Sequence, residues 1–309
     1  GFEAPADDLE AAIAAAWEAH LGLRPIGRHE GFLALGGHSL LALGVAARLE
    51  ATLGRPVPLA PLLAGQTVAD LARSLRGEAP ATGTDPLLVP LRVGGDRPPL
   101  ILIHAVGGTA GPFLPLAAGL APGRPVWGLQ APALAGEPMP PDLAGLADRY
   151  ARAIGSLALD GDYVLGGWSL GGVLAFETAR RLPHPPCRVI MLDAALPAQA
   201  PTDEATLRAL FAFDLQAAFG AAAPTDVEPL YAVFAALVAA ANGYHATPAD
   251  LDLVSIGALE GLLAGDPAGP WLGLVPPGRL YAAALPGDHH GLLRSPDLAR
   301  LVEGFLPPG

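Results

Sequence analysis

This sequence predicts an α/β domain built on a parallel sheet, preceded by a small all-α domain. Three observations point there: a first segment that is helical throughout, a stretch rich in Gly, Pro and Thr, and then short apolar runs alternating with helical ones.

The helical segment runs from Asp7 to about Arg76. In "DDLEAAIAAAWEAHLG", Leu9, Ile13, Ala16 and Trp17 recur at helical spacing, acidic residues fill the first turn and a glycine closes it. "SLLALGVAARLEATLG" repeats this logic from Ser39 to Gly54, and "TVADLARSLR" gives a further helix opened by a Thr67 cap. A short helical turn is expected at Leu59–Ala64, making a four-helix domain over residues 1–76. "GEAPATGTDP" (Gly77–Pro86) has the composition of a mobile linker, and residues 87–309 are expected to form the second domain.

There, "PLILIHAVGG" (Pro99–Gly108), "RPVWGLQ" (Arg124–Gln130), "DYVLGGW" (Asp162–Trp168), "CRVIMLD" (Cys187–Asp193) and "RLYAAAL" (Arg279–Leu285) read as strands. Helical stretches such as Leu143–Leu157 and Leu170–Leu182 separate them. Continuous apolar strands spaced by helices indicate a parallel sheet covered on both faces. From about Pro197 to Pro277 the alternation breaks into two or three helices with no clear strand. That length suits a lid over a site better than a passive loop.

Composition excludes several functions. The 309 residues are 51% hydrophobic and 16% charged, which rules out a disordered chain. All 18 basic residues are arginines, and a net charge of −12 argues against nucleic acid or an anionic membrane as partner. The lone cysteine, Cys187, excludes an intrachain disulfide framework and a thiolate metal site, and no metal is expected. No basic leader opens the chain and no apolar run reaches the ~18 residues of a membrane span. A soluble, cytoplasmic monomer is expected.

Two serines sit among glycines. "GWSLG" (Gly167–Gly171) is a G-x-S-x-G between a predicted strand and a predicted helix, the setting of a nucleophile elbow. Such a turn is too tight for side chains on its neighbours and presents the Ser169 hydroxyl beside the next backbone N–H. A serine hydroxyl needs a base to take its proton and a carboxylate to orient that base, in the order Ser, acid, His. Asp193 closes the next strand, at the same edge of the sheet as Ser169; its alternative is to cap the following loop. After the last strand, "PGDHHGLL" supplies His289 and His290, and spacing alone does not choose between them. Asp288 is too close in sequence to reach its neighbour's ring easily. For an oxyanion hole the candidates are the backbone N–H groups of Leu170 and of Val106, in the glycine-rich loop "HAVGG". His104 reads as a packed strand-end histidine.

The other serine, Ser39 in "GGHSL", has no nearby base and no sheet behind it. It can serve as a plain N-cap or as the attachment point of a phosphodiester, which a helix N-terminus favours.

The first segment resembles a peptidyl carrier domain: "IGRHEGFLALGGHSLLALGVAARLE" is similar to that family's stretch around its modified serine. The resemblance implies that Ser39 carries 4'-phosphopantetheine, installed by a phosphopantetheinyl transferase, whose thiol holds the cargo as a thioester. Residues from about Leu87 to Phe305 resemble a type I thioesterase of the α/β-hydrolase fold. By that resemblance Ser169 is the nucleophile and Asp193 the acid. "PGDHHGLL" is similar to a family pattern Gly-Asp-His-x-x-Leu-Leu, which makes His289 the base and His290 a variable position. "HAVGG" departs from the family's His-Pro-x-Gly-Gly by Ala105, which loosens the loop that presents Val106.

Together the two resemblances imply the end of a nonribosomal peptide synthetase, fed by upstream synthetase domains. A peptidyl or acyl thioester would pass from the arm on Ser39 to Ser169 and leave by hydrolysis or macrocyclisation. The rivals are an ester hydrolase with an unmodified helical adaptor, and a carrier module fused to a binding-only hydrolase fold. Phe211, Phe213, Phe219, Tyr231, Phe234 and Tyr244 fall on expected lid helices, where most should pack inside the lid.

Overall fold

The computed structural model describes residues 2–37, 39–55, 57, 61–62, 66–77, 84–199, 203–219 and 227–308. The helical turn expected at Leu59–Ala64 and the interior of the Gly77–Pro86 linker lie largely outside the described residues.

Helix α1 spans Asp8–Leu21 because Asp7 accepts the N–H groups of Leu9 and Glu10, both at 3.0 Å, and Gly22 ends it at φ +70°. Helix α2 spans Ser39–Leu53 and α3 Val68–Arg76, the latter opened by a reciprocal cap between Thr67 and Asp70. Ile13, Trp17, Phe32, Val45, Leu49 and Leu71 are fully buried among them, with the Trp17 and Phe32 rings edge to face at 5.1 Å. Glu10 is buried as well, and the Arg28 guanidinium grips its carboxylate at 2.8 and 2.9 Å.

Seven strands form the second unit: β1 Leu88–Arg92, β2 Leu100–Ile103, β3 Val126–Leu129, β4 Val164–Trp168, β5 Arg188–Leu192, β6 Leu253–Glu260 and β7 Leu280–Asp288. They lie in the order β1-β3-β2-β4-β5-β6-β7, with β1 antiparallel to β3 and every other pair parallel. β2 and β4 are buried at every position, so both faces of the central sheet are covered. Helix α4 (Leu114–Gly119) packs on α9 (Pro296–Phe305), and α5 (Leu143–Gly155) on α6 (Leu170–Ala179). From Gly171 on, α6 is buried on all sides, as an apolar helix against β2, β4 and β5 should be.

Two strands depart from the sequence reading. β1 contains Pro90, which argues against a central strand; an edge position with a register shift after the proline tolerates it. β6 falls inside the stretch 197–277 expected to be strand-free. Ser255 and Gly257 interrupt its apolar run, yet all residues from Leu253 to Ala258 are buried between β5 and β7. The helical part of the insertion is therefore shorter than expected: α7 (Glu204–Phe219) and α8 (Glu228–Ala241). Tyr244 follows α8 rather than lying on it.

Candidate active site

β4 ends at Trp168, and the chain turns through Ser169 (φ +56°, ψ −126°) straight into α6. That conformation is costly for a residue with a Cβ and is held by its surroundings. The Ser169 N–H donates to the Leu192 carbonyl at 2.9 Å, and the Gly172 N–H donates to the Ser169 carbonyl at 3.0 Å. A Cβ on Gly167 would collide with the Gly171 carbonyl, and one on Gly171 with the carbonyls of Ile103 and His104. Both glycines are thus required by close backbone approach, and the elbow lies against the start of the 104–108 loop.

Asp193 follows β5 at φ +42° and is fully buried. Its N–H donates to the Ile256 carbonyl at 2.7 Å, so β6 sets its position. One carboxylate oxygen accepts the Ala258 N–H at 3.1 Å; the other accepts the Leu262 N–H at 2.9 Å and faces His289 Nδ1 at 2.7 Å. Burial pushes the Asp193 carboxyl upward, but the bonds from His289, Leu262 and Ala258 outweigh it and hold the group below its usual range. A carboxylate only accepts, so Nδ1 of His289 carries the ring proton and Nε2 is left as an acceptor. Of the two histidines in the loop after β7, the structure joins His289 to Asp193. Asp288 instead accepts the Gly291 N–H at 2.6 Å and closes the turn that carries both histidines.

Trp168 connects this pair to the elbow. Its indole stacks on the His289 ring at 4.8 Å and donates its N–H to the His289 carbonyl at 3.2 Å. His289 and the residue before the elbow serine are therefore in contact. Sequence reasoning passed over Trp168 although it stands inside the motif. It also missed Gly261, where a Cβ would collide with the Asp193 carboxylate. The unread strand β6, which leads into Gly261, was the signal available.

Among the described residues the Val106 N–H has no acceptor, and the Leu170 N–H, first in α6, has none within the helix. Both are open donors. Without the family's proline, the 104–108 loop is held through the Ala105 carbonyl, which faces His104 Nδ1 at 2.6 Å and accepts the Gly108 N–H at 3.0 Å. His104 is buried, as a packed strand-end histidine should be, with Nε2 on the Tyr150 hydroxyl at 2.5 Å. Burial lowers its pKa to about 4 despite the opposing pull of the Ala105 carbonyl.

The two helices of the insertion reach the loops around the elbow. A Cβ on Gly108 would press on Val233, so α8 sits on the 104–108 loop. Asp214 of α7 meets His290 Nε2 at 3.0 Å. Phe211 packs on Tyr231 and Phe234, each at 5.4 Å, so these aromatics hold the lid together, whereas Phe213 is exposed.

Ser39 is the first residue of α2. Gly37, two residues before it, lies so close to Phe32 that no Cβ fits. The first turn of α2 has no acidic residue, whereas α1 has Asp8 and Glu10 and α3 has Asp70. A helix N-terminus without an acidic residue in its first turn fits a phosphodiester.

An elbow serine after β4 of a mostly parallel sheet, with a carboxylate after β5 bonded to an imidazole after β7, defines the α/β-hydrolase fold. The chain belongs to the thioesterase family, whose domain model matches residues 98–305. The phosphopantetheine attachment site model matches residues 11–75, which makes the chain a carrier–thioesterase pair. It is similar to the malpibaldin synthetase of Mortierella alpina, 37% identical over 183 residues, or 59% of this chain and 3% of that one. It is also similar to the dimodular nonribosomal peptide synthase of Bacillus subtilis (strain 168), 37% identical over 201 residues, or 62% of this chain and 8% of that one. The chain thus spans a small part of the synthetases it matches. Its fold is similar to part of holo-AB3403, a four domain nonribosomal peptide synthetase bound to AMP and glycine: TM-score 0.65, 24% identity, covering 100% of this chain and 27% of the other. The NocB thioesterase domain matches 68% of this chain over 94% of its own, with TM-score 0.54 and 23% identity. Among the described residues no helix is long and apolar enough to cross a membrane, and no cluster of metal-ligating side chains occurs.

Proposed function

We propose that the chain releases a peptidyl or acyl group from its own carrier domain, residues 1–76, through Ser169, Asp193 and His289 of a thioesterase domain, residues 87–309. The observation that carries this is the 2.7 Å bond between buried Asp193 and His289, whose ring stacks on Trp168, the residue before Ser169 at φ +56°. 4'-Phosphopantetheine on Ser39 would supply the thiol that holds the cargo as a thioester. His289 Nε2 takes the Ser169 proton as Oγ adds to the thioester carbonyl. The N–H groups of Val106 and Leu170 receive the charge that develops on the carbonyl oxygen. When the C–S bond breaks, His289 returns the proton to the departing sulfur, and the cargo is an ester on Ser169. His289 then deprotonates water, or a nucleophile within the cargo, as it adds to the ester carbonyl; the acyl–Oγ bond breaks, the proton returns to Ser169 Oγ, and acid or ring leaves. Asp193 holds the imidazole in the required tautomer throughout and stabilises its charged form.

Upstream synthetase domains would deliver the cargo, and a phosphopantetheinyl transferase would modify Ser39. The test is to load the chain with an acyl-phosphopantetheine from acyl-coenzyme A and that transferase, and to follow it by intact mass. Ser169→Ala should strand the acyl group on Ser39, while the unsubstituted chain releases it. Rapid release from Ser169→Ala would overturn the catalytic assignment. A chain that gains no mass would make the helical domain an unmodified adaptor.

A further inference from the structure

The geometry points to Trp168 as a positioning residue for His289. Asp193 alone does not fix the imidazole: one hydrogen bond at Nδ1 leaves the ring free to tilt about the Nδ1–oxygen line. A tilted ring swings Nε2 away from the serine, and proton transfer depends steeply on that alignment. The indole removes this freedom through a face-to-face stack at 4.8 Å with the planes 28° apart. Its N–H holds the same residue's main chain through the His289 carbonyl at 3.2 Å. Its ring also meets the neighbouring His290 edge-on at 5.5 Å.

What makes this more than core packing is where Trp168 stands. It is the last residue of β4 and is bonded directly to Ser169, so nucleophile and base are referred to one rigid piece of backbone. Trp168 is only 6% exposed and its neighbours on β4 are fully buried, which gives the indole little room to move. An indole face also favours the charged ring that His289 becomes during each proton transfer, an interaction the neutral ground state lacks. The inference rests on Ser169 and His289 acting as nucleophile and base.

The test uses the full chain with a soluble acyl thioester of a small thiol, reading kcat and KM separately beside the thermal midpoint. Trp168→Leu keeps apolar bulk but loses the stack and the donor; kcat should fall at least tenfold, with KM within about twofold of the unsubstituted chain. Trp168→Phe keeps an aromatic face and loses only the donor, so kcat should lie between those of Trp168→Leu and the unsubstituted chain. A folded Trp168→Leu chain with kcat within twofold of the original overturns the proposal, as does Trp168→Phe performing no better than Trp168→Leu. Should Trp168→Leu not fold, Trp168→Phe decides: kcat lowered two- to fivefold at constant KM supports the role. Raised KM at unchanged kcat, or neither changed, refutes it. Ser169→Ala and His289→Ala run beside these. Activity in those two would sink the underlying mechanism; their inactivity beside an unimpaired Trp168→Leu would sink this inference alone.

Discussion

Asp193 shows how much a single carboxylate can demand of its surroundings. It is buried, sits at positive φ, and receives two backbone N–H groups as well as the His289 ring. Gly261 makes room for it. Adding one methyl there, as Gly261→Ala, must displace the carboxylate from His289. We expect kcat to fall about a hundredfold, the scale of a small misplacement in an acid–base pair. The thermal midpoint should change far less than kcat; a variant with unchanged kcat would show that the carboxylate can be moved without cost. At this scale the sequence was most informative about groups that share a motif or a strand end. Ser169 was legible because the positions two before and two after it must be glycine, and Asp193 because strand order puts it at the edge where Ser169 stands. The choice of His289 over His290 depends on which ring reaches a residue ninety-six positions earlier; spacing alone does not record that, and only the resemblance of "PGDHHGLL" to a family pattern singled out His289.

Among elements, the lid is where chain pattern and structure part. α7 and α8 hold each other through Phe211, Tyr231 and Phe234, and Arg208 reinforces them by bridging Glu204 and Glu228. α7 reaches the loop after β7 through Asp214 and His290, a partly buried pair worth about 0.5–1 kcal/mol. Asp214→Ala should therefore raise amide exchange in α7 by roughly two- to fivefold and leave β4 and β5 unchanged. Equal exchange in both chains would mean that this pair does not hold the lid. The helices themselves were readable from their apolar repeats. β1 and β6 were not, each for a local reason that the assembled sheet overrides: a proline that an edge tolerates, and a serine and glycine that two flanking strands bury.

For the molecule as a whole, one buried side chain ties stability to acidity. His104 is neutral in the folded chain: its Nδ1–H donates to the Ala105 carbonyl and its Nε2 accepts the Tyr150 hydroxyl, so both ring nitrogens are satisfied. Burial holds its pKa at about 4, against 6.5 for the free side chain. Between those values the unfolded chain binds a proton that the folded chain refuses. The His104 contribution is therefore complete above pH 6.5 and is lost as the pH falls toward 4. Denaturant unfolding should show a loss of about 2 kcal/mol between pH 7.5 and 5. His104→Gln, although less stable overall, should lack that part of the loss. An identical pH dependence in both chains would mean that the ring is protonated in place. The plan of the chain, a helical domain followed by an α/β domain, was legible from one change of periodicity, while the carrier reading came from resemblance. Periodicity survives wherever a helix or strand buries one face or both, and it fades in the lid and at sheet edges, where partners are few.

The insertion joins β5 to β6, and the same two strands hold Asp193: β5 leads into it, while Ile256 and Ala258 of β6 fix its backbone and carboxylate. Main-chain pairing between the strands sets that acid's place, whatever crosses from one to the other. The crossing segment can therefore be rebuilt in length and sequence without shifting Asp193 from its place at the sheet edge.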